Sequence, residues 1–195
     1  MLTENDQKID FGFKTVKKSE KQKLVNKVFN TVADKYDLMN DLTSFGIHRE
    51  WKNSLINWLS PQKNQNLADI AGGTGDLAKK FLSAGGNSAF VIDINKEMIK
   101  TGKVKNRSEK RLKWVLASAE KIPLDDNTFE RATMGFGLRN ITNRVQALKE
   151  VYRILKPGGR FICLEFSHVE NNLFKKLYDL WSFNLMPSIG EKITG

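Results

Sequence analysis

From residue 67 onward the apolar residues fall into two alternating patterns. Short unbroken runs at 67–71, 89–93, 113–116, 130–135 and 160–166 are bounded by glycine and polar residues, as expected of strands buried on both faces. Between and after them, 75–84, 95–103, 143–155 and 171–186 place apolar residues every three or four positions and read as helices. The helix over 143–155 has a stripe of Val145, Leu148, Val151, Ile154 and Leu155, Thr142 as its N-cap, and a Pro157-Gly158-Gly159 stop. Upstream, Leu24, Val28, Val32 and Tyr36 predict a helix over 20–37. Trp51, Leu55, Trp58 and Leu59 predict another over 48–59, with Pro61 just beyond it. Strand–helix alternation with short turns predicts an α/β fold, a mostly parallel twisted sheet with helices on both faces. Three regions result: a polar, irregular, mobile arm (1–19), a helical cap (20–62) and the alternating domain (63–195).

The turn after the first of these strands is the most specific chemical signal. Asp69-Ile70-Ala71-Gly72-Gly73-Thr74-Gly75-Asp76 joins a strand to a helix, and Asp93 ends the next strand about 20 residues on. Glycines let backbone approach a ligand closely, and a carboxylate at the next strand end binds ribose hydroxyls, so the pair suits an adenosine-bearing cofactor. Gly73, Gly75 and Ala78 also satisfy the G-x-G-x-x-G/A dinucleotide pattern, which keeps a nicotinamide dehydrogenase open. Ser118-Ala119-Glu120 and Gly135 to Asn140 also follow strands and are expected at the same sheet edge as Gly72, Gly73, Thr74, Gly75 and Asp93.

Composition narrows the class. With 195 residues, 40% hydrophobic and 28% charged, the chain suits a soluble globular domain. Neither an apolar run of membrane-spanning length nor a secretory signal is legible, so a cytoplasmic location is expected. The single Cys163 lies in an apolar strand and is expected to be a buried small hydrophobe. Much of the +10 net charge lies in Lys100, Lys103, Lys105, Arg107, Lys110, Arg111 and Lys113. This stretch reads as a solvated face or as an attractor for anionic lipid headgroups. Without interleaved aromatics it does not read as a nucleic-acid surface. Ligand clusters at metal spacing are absent, so no metal is expected.

Three further segments carry a resemblance: Tyr36-Asp37-Leu38-Met39-Asn40-Asp41 with Ser44 to Lys52, Phe136-Gly137-Leu138-Arg139-Asn140, and Leu155 to Arg160 leading into Cys163-Leu164-Glu165-Phe166-Ser167. With the glycine turn they closely resemble the quinone-biosynthesis C-methyltransferases of the UbiE type, over about residues 10–190. The resemblance implies a Rossmann-like class I methyltransferase that uses S-adenosylmethionine and no metal. It implies methylation of a ring carbon of a polyprenylated benzoquinol or naphthoquinol in ubiquinone or menaquinone biosynthesis. It places Ser118 and Ala119 on the adenine side and Gly135 where some relatives have serine. The family continues past 187–190 into a final strand pair, which a chain ending at Gly195 is expected to lack.

A ring carbon becomes nucleophilic when the neighbouring hydroxyl loses its proton, so the protein must position the ring and favour that loss. Arg139 is expected to polarise or orient the phenolate, Asn140 to orient the ring, and Tyr36 to belong to a cap over the cofactor. His48, beside Arg49 and Lys52, reads as a surface helix start. The resemblance allows peripheral association with the inner face of the membrane and a quinone-biosynthesis complex or homodimer; the stripe of Leu173, Phe174, Leu177, Leu180 and Trp181 reads first as core and otherwise as an amphipathic face that assists such association. Other readings are a non-catalytic cofactor-binding scaffold subunit and a methyltransferase of another small phenol or of nucleic acid.

Overall fold

A computed structural model describes residues 8–11, 14–32, 40–41, 44 and 46–166. Tyr36 and the segment predicted helical over 171–186, with its apolar stripe, lie outside these residues. The elements run β1 (Lys8–Phe11), β2 (Lys14–Lys17), α1 (Lys18–Val32), α2 (Ile47–Leu59), β3 (Asn66–Ile70) and α3 (Asp76–Ser83). They continue with β4 (Ser88–Asp93), α4 (Lys96–Lys105), β5 (Leu112–Leu116), β6 (Phe129–Gly135), a 3-10 turn (Leu138–Asn140), α5 (Arg144–Ile154) and β7 (Leu155–Leu164).

The main sheet has the order β5-β4-β3-β6-β7, every neighbouring pair parallel. The chain winds outward from β3 through β4 to β5, then returns to the other side of β3 as β6 and β7. Strand order therefore reverses at β3, and the carboxyl ends of β3, β4 and β6 flank the crevice where doubly wound sheets bind ligands. Successive residues of β3 point to opposite faces. Leu67 joins a core with Leu55, Leu59, Leu77 and Phe81, under α2 and α3. Ala68 and Ile70 join a second core with Phe129, Met134, Val151 and Ile154, under α5. The α/β architecture predicted from the alternation is the one formed.

Several local expectations change. The arm, expected to be irregular, carries an antiparallel hairpin pairing Lys8 with Lys17 and Phe11 with Lys14. Ile9, Phe11, Thr15 and Val16 have the β-branched or aromatic character that favours strands. The cap of α5 is Asn143, whose side chain accepts from the Gln146 N–H, not Thr142. Its inner face is Ala147, Val151 and Ile154, while Val145 and Leu148 are exposed. In α2 the buried residues include Leu55, Ile56 and Leu59, and Trp58 is exposed. Strand β7 begins at Leu155 instead of residue 160. Phe129 already pairs with Leu155, and the Pro157-Gly158-Gly159 turn is absorbed as an irregularity before Arg131 pairs with Arg160. Gly158 takes φ +76°, a conformation glycine adopts without steric cost.

Cys163 is exposed, not buried. Within the described sheet β7 is the outer strand, so its side chains lack a neighbouring strand on one side. Desolvation and then the negative charge of Glu165 hold the thiol above its ordinary pKa, which leaves it unactivated.

Phe81 on α3 is fully buried, and a side chain at Gly86 would strike its ring. Phe81→Ala is expected to lower the unfolding free energy by about 3–5 kcal/mol. Urea denaturation measures it, and a loss below about 1 kcal/mol would show that this face is not close-packed.

Candidate active site

The glycine turn owes its shape to a carboxyl behind it. Asp69, fully buried in β3, accepts a hydrogen bond from Thr133 Oγ1 on β6 (2.9 Å) and another from the Ala78 N–H in the first turn of α3 (3.2 Å). Helix α3 starts at Gly75, which has no side chain to cap it, so Asp69 caps it from the strand. A side chain at Gly72 would come within 2.8 Å of both the Asp69 carbonyl and its carboxylate, so glycine is required there. Burial raises the Asp69 pKa to about 7, against the opposing hydrogen bonds from Thr133 and Ala78.

Next to it, Asp76 pairs with Lys52 of α2 (Nζ to Oδ2, 2.8 Å). Burial pushes the Asp76 carboxyl up, but the charge and hydrogen bond of Lys52 bring it below its ordinary value. His48 is buried, correcting the surface reading, and its Nδ1 lies 2.8 Å from Ser44 Oγ. Burial first, then the charge of Lys52, lowers its pKa.

In front of the turn lies an open cleft of about 690 Å³, counting the solvent space at its mouth. Gly73, Asp93, Ser118, Ala119, Gly135 and Asn140 line it together, as their strand-end positions predicted. Asp93 Oδ2 accepts from the Gly73 N–H and Oδ1 from the Asn95 N–H, both at 2.8 Å. The carboxyl that would bind a ribose therefore also fixes the turn. Burial raises its pKa, offset in part by the N–H groups of Asn95, Gly73 and Ile94.

The other expected residues are set differently. Gly72, Thr74 and Gly75 lie behind the cavity wall. Thr74 is buried and its carbonyl accepts from Asn106 Nδ2 (3.2 Å), and a side chain at Gly75 would meet Trp114 at 3.0 Å. Arg139, expected to face the transferred methyl, is not a lining residue. Its guanidinium donates to Glu165 Oε1 (3.2 Å), its backbone N–H to Glu165 Oε2 (3.1 Å), and it lies 4.8 Å over the Phe166 ring. Asn140, its neighbour, does line the cavity.

Three features were missed by sequence reasoning. Helix α1 contributes Gln22, Val25, Asn26 and Phe29 to the cavity wall. It is fastened by the buried Lys21, whose Nζ donates to the Arg139 and Ile141 carbonyls (2.9 and 3.3 Å), and by Asn30, which accepts from Asn95 Nδ2 (2.8 Å). Ala71 and Phe136, both lining residues, adopt positive φ (+52° and +57°), which costs about 1 kcal/mol or more each and is tolerated where function fixes the backbone. Lastly, Phe136 stacks on Phe166 (centroids 4.8 Å apart), and Trp51 packs against both. Each of the three lies in one of the segments that carry the family resemblance, but nothing in their spacing shows that they meet.

The cavity residues fit an adenosine-bearing methyl donor. Asp93 would take the ribose hydroxyls, Gly73 lets the donor lie against backbone, and Ile94 and Met98 beside Ser118 and Ala119 offer a surface to a purine. Among the described residues, no group of three or more His, Cys, Asp or Glu is placed to hold a metal ion. No described helix is long and apolar enough to cross a membrane.

Solved structures share this architecture. A putative methyltransferase from Bacillus halodurans superposes with a TM-score of 0.58 at 22% identity, covering 67% of this chain and 57% of that one. An S-adenosylmethionine-dependent methyltransferase from Aquifex aeolicus does so with 0.54 at 20%, covering 69% and 76%. The fold is thus the Rossmann-like one of the class I methyltransferases.

Sequence comparison is more specific. The model of the ubiE/COQ5 methyltransferase family matches residues 14–194. Proteins described as ubiquinone/menaquinone biosynthesis C-methyltransferase UbiE are similar throughout. The one from Brucella anthropi is 50% identical over 95% of this chain and 73% of its own length. The one from Rickettsia akari is 51% identical over 96% and 78%. The chain belongs to the ubiE/COQ5 methyltransferase family, and is an S-adenosylmethionine-dependent C-methyltransferase of ubiquinone/menaquinone biosynthesis.

Two measurements bear on this site. Asp93→Ala is expected to weaken S-adenosylmethionine binding about 30- to 100-fold in calorimetric titration, since two charge-assisted hydrogen bonds are lost. Unchanged affinity would place the ribose elsewhere. The second concerns pH. Because the folded pKa of Asp69 is raised, its protonated form contributes full stability below about pH 4, and that contribution is lost as pH rises through about 7. Asp69→Asn cannot titrate, so its stability relative to the wild type is expected to rise between those pH values. A difference that stays flat across pH 4–7 would show that Asp69 ionises normally.

Proposed function

We propose that this cavity methylates a ring carbon of a polyprenylated benzoquinol or naphthoquinol, with the residue roles that follow. The observation that carries the proposal is the convergence on one crevice of Asp93 and Gly73 on one side and Asn140, of the Leu138–Asn140 turn, on the other. S-adenosylmethionine, when bound, supplies an electrophilic sulfonium methyl group.

The chain's own tasks are to hold that donor, to orient the ring and to favour loss of the ring hydroxyl proton. Asp93 and the glycine turn do the first. Asn140, whose side chain makes only a long contact (3.5 Å) to the Phe136 carbonyl, is free to turn its amide toward a ring oxygen. Arg139 cannot act as a base, because a guanidinium stays protonated. It stabilises the developing phenolate instead, directly or through a water. Glu165 holds the guanidinium over the Phe166 ring, which stacks on Phe136 of the cavity wall, and a phenolate oxygen can take over one of its N–H groups without breaking the backbone tie at the Arg139 N–H. Helix α1, fastened over the cavity, limits the entry of water. The acceptor is apolar, so the enzyme takes it from a membrane surface by peripheral contact.

The direct test is transfer of labelled methyl from S-adenosylmethionine by the purified chain. Label is expected in a demethylated prenyl quinol and not in RNA, and the opposite result would reassign the substrate. Arg139→Ala is expected to lower kcat about 100-fold through lost charge stabilisation while S-adenosylmethionine affinity stays within about two-fold. A kcat unchanged by the substitution would remove Arg139 from the chemistry.

A further inference from the structure

The proposed function accounts for the ring of the acceptor but not for the hydrocarbon chain attached to it. The aromatic cluster of Trp51, Phe136 and Phe166 has no task in holding the donor. Phe136 is part of the cavity wall. Phe166 stacks on it at 4.8 Å and 27°, and Trp51 meets Phe166 edge-on at 5.8 Å. Trp51 and Phe166 remain 38% and 44% exposed. The cluster is thus an apolar surface that begins inside the cavity and ends in solvent.

Two further observations point to a ligand. Phe136 keeps positive φ, and its N–H donates to the Leu164 carbonyl at the end of β7 (2.7 Å), so the ring is held in place at a backbone cost. The rest of the described wall mixes apolar residues, Val25, Phe29, Ile94 and Met98 among them, with polar ones. Asp93, Asn95 and Glu120 line it with polar groups, and α1 is tied down over it through Lys21 and Asn30. Among the described residues, the aromatic cluster is where the wall continues as packed rings to an exposed apolar surface.

We infer that Trp51, Phe136 and Phe166 form a platform for the isoprenoid chain of the acceptor, aligning it as it leaves the ring. The inference rests on the quinol reading above. Flat rings contact an unsaturated chain over a large area with little loss of side-chain entropy, and such contacts tolerate different chain lengths. Arg139, lying over Phe166, marks where the apolar path gives way to the polar end of the ring. Trp51 and Phe166 are specificity-determining residues in this scheme and touch no reacting atom.

The test compares two acceptors, a demethylated quinol bearing a multi-unit isoprenoid chain and the same ring bearing a methyl group in its place. The wild type, Trp51→Ser and Phe166→Ser are each assayed, with S-adenosylmethionine affinity as the check on folding. Both sites are partly exposed, and either variant alone suffices. Each substitution is expected to lower kcat/KM for the prenylated acceptor about ten-fold more than for the short one, chiefly through KM. Equal losses for both acceptors, or none, would overturn the platform and indicate that the cluster packs against other protein. A wild type that methylates neither acceptor overturns the quinol reading itself, and the platform with it. One that methylates both without preference overturns the platform alone.

Discussion

Asp69 holds its carboxyl in the dry space between β3, β6 and α3, where it accepts from the Thr133 hydroxyl and the Ala78 N–H. Those two bonds set the spacing of the central strands and the start of α3. They also leave no room for a side chain at Gly72. With Gly72 so confined, the turn carries Gly73 to the front of the sheet, where its N–H meets Asp93. One carboxyl behind the turn and one before it therefore hold the same glycine turn from opposite sides. The first is a structural acid whose burial raises its pKa to about 7, and the second lines the cavity. A buried carboxyl is costly unless hydrogen-bonded, which is why its partners here come from two different elements.

The alternation of short apolar runs and helical stripes was enough to define the sheet, because strands buried on both faces must be continuously apolar. Most strand and helix limits in the alternating domain differ from expectation by one or two residues, the largest difference being the start of β7. There the Lys-Pro-Gly-Gly sequence reads as punctuation, yet pairing with Phe129 overrides local preference and stretches the strand across it. The glycine turn, Asp93, Ser118, Ala119, Gly135 and Asn140 were legible because each follows a strand that ends at one edge. His48, Trp58, Val145 and Cys163 were misjudged for one shared reason. Their burial depends on which neighbour arrives from elsewhere in the chain, and periodicity does not encode that. Nor does it encode that Lys21 would be buried against the Arg139 and Ile141 carbonyls, 118 and 120 residues away.

Charge placement separates two ideas that composition had joined. Helix α4 leaves the carboxyl edge at Asn95 and delivers the chain to the start of β5, so Lys103 to Arg111 lie at the amino edge. Arg111 there donates to the Gly86 carbonyl just before β4 (3.3 Å) and pairs with Glu109. The cavity opens at the opposite edge. A lipid surface drawn to the basic stretch would face away from the cavity, so electrostatic attraction alone cannot present the acceptor to the donor. The stretch is better understood as the solvated end of α4 and its turn, and approach to a bilayer has to be argued from the carboxyl edge.

At that edge the two halves of the cavity differ in chemistry. The side formed by β3, β4 and α4 offers a carboxylate, backbone N–H groups and small residues. The side formed by β6 and the turn after it offers Asn140 and Phe136, whose ring stacks on Phe166 beneath the Arg139 guanidinium. Each half contains one non-glycine residue at positive φ, Ala71 on the first and Phe136 on the second. Strain of this kind survives only where the surroundings over-determine it. Here the determinants are visible: Gly72 N–H donates to the Ile92 carbonyl and Phe136 N–H to the Leu164 carbonyl, so neighbouring strands pin both turns. Carbon methylation needs a weak nucleophile held in line with the methyl group, and small displacements cost rate steeply. Pinning both turns to the same sheet fixes the two sides of the cavity relative to each other, which loop-borne walls would not achieve.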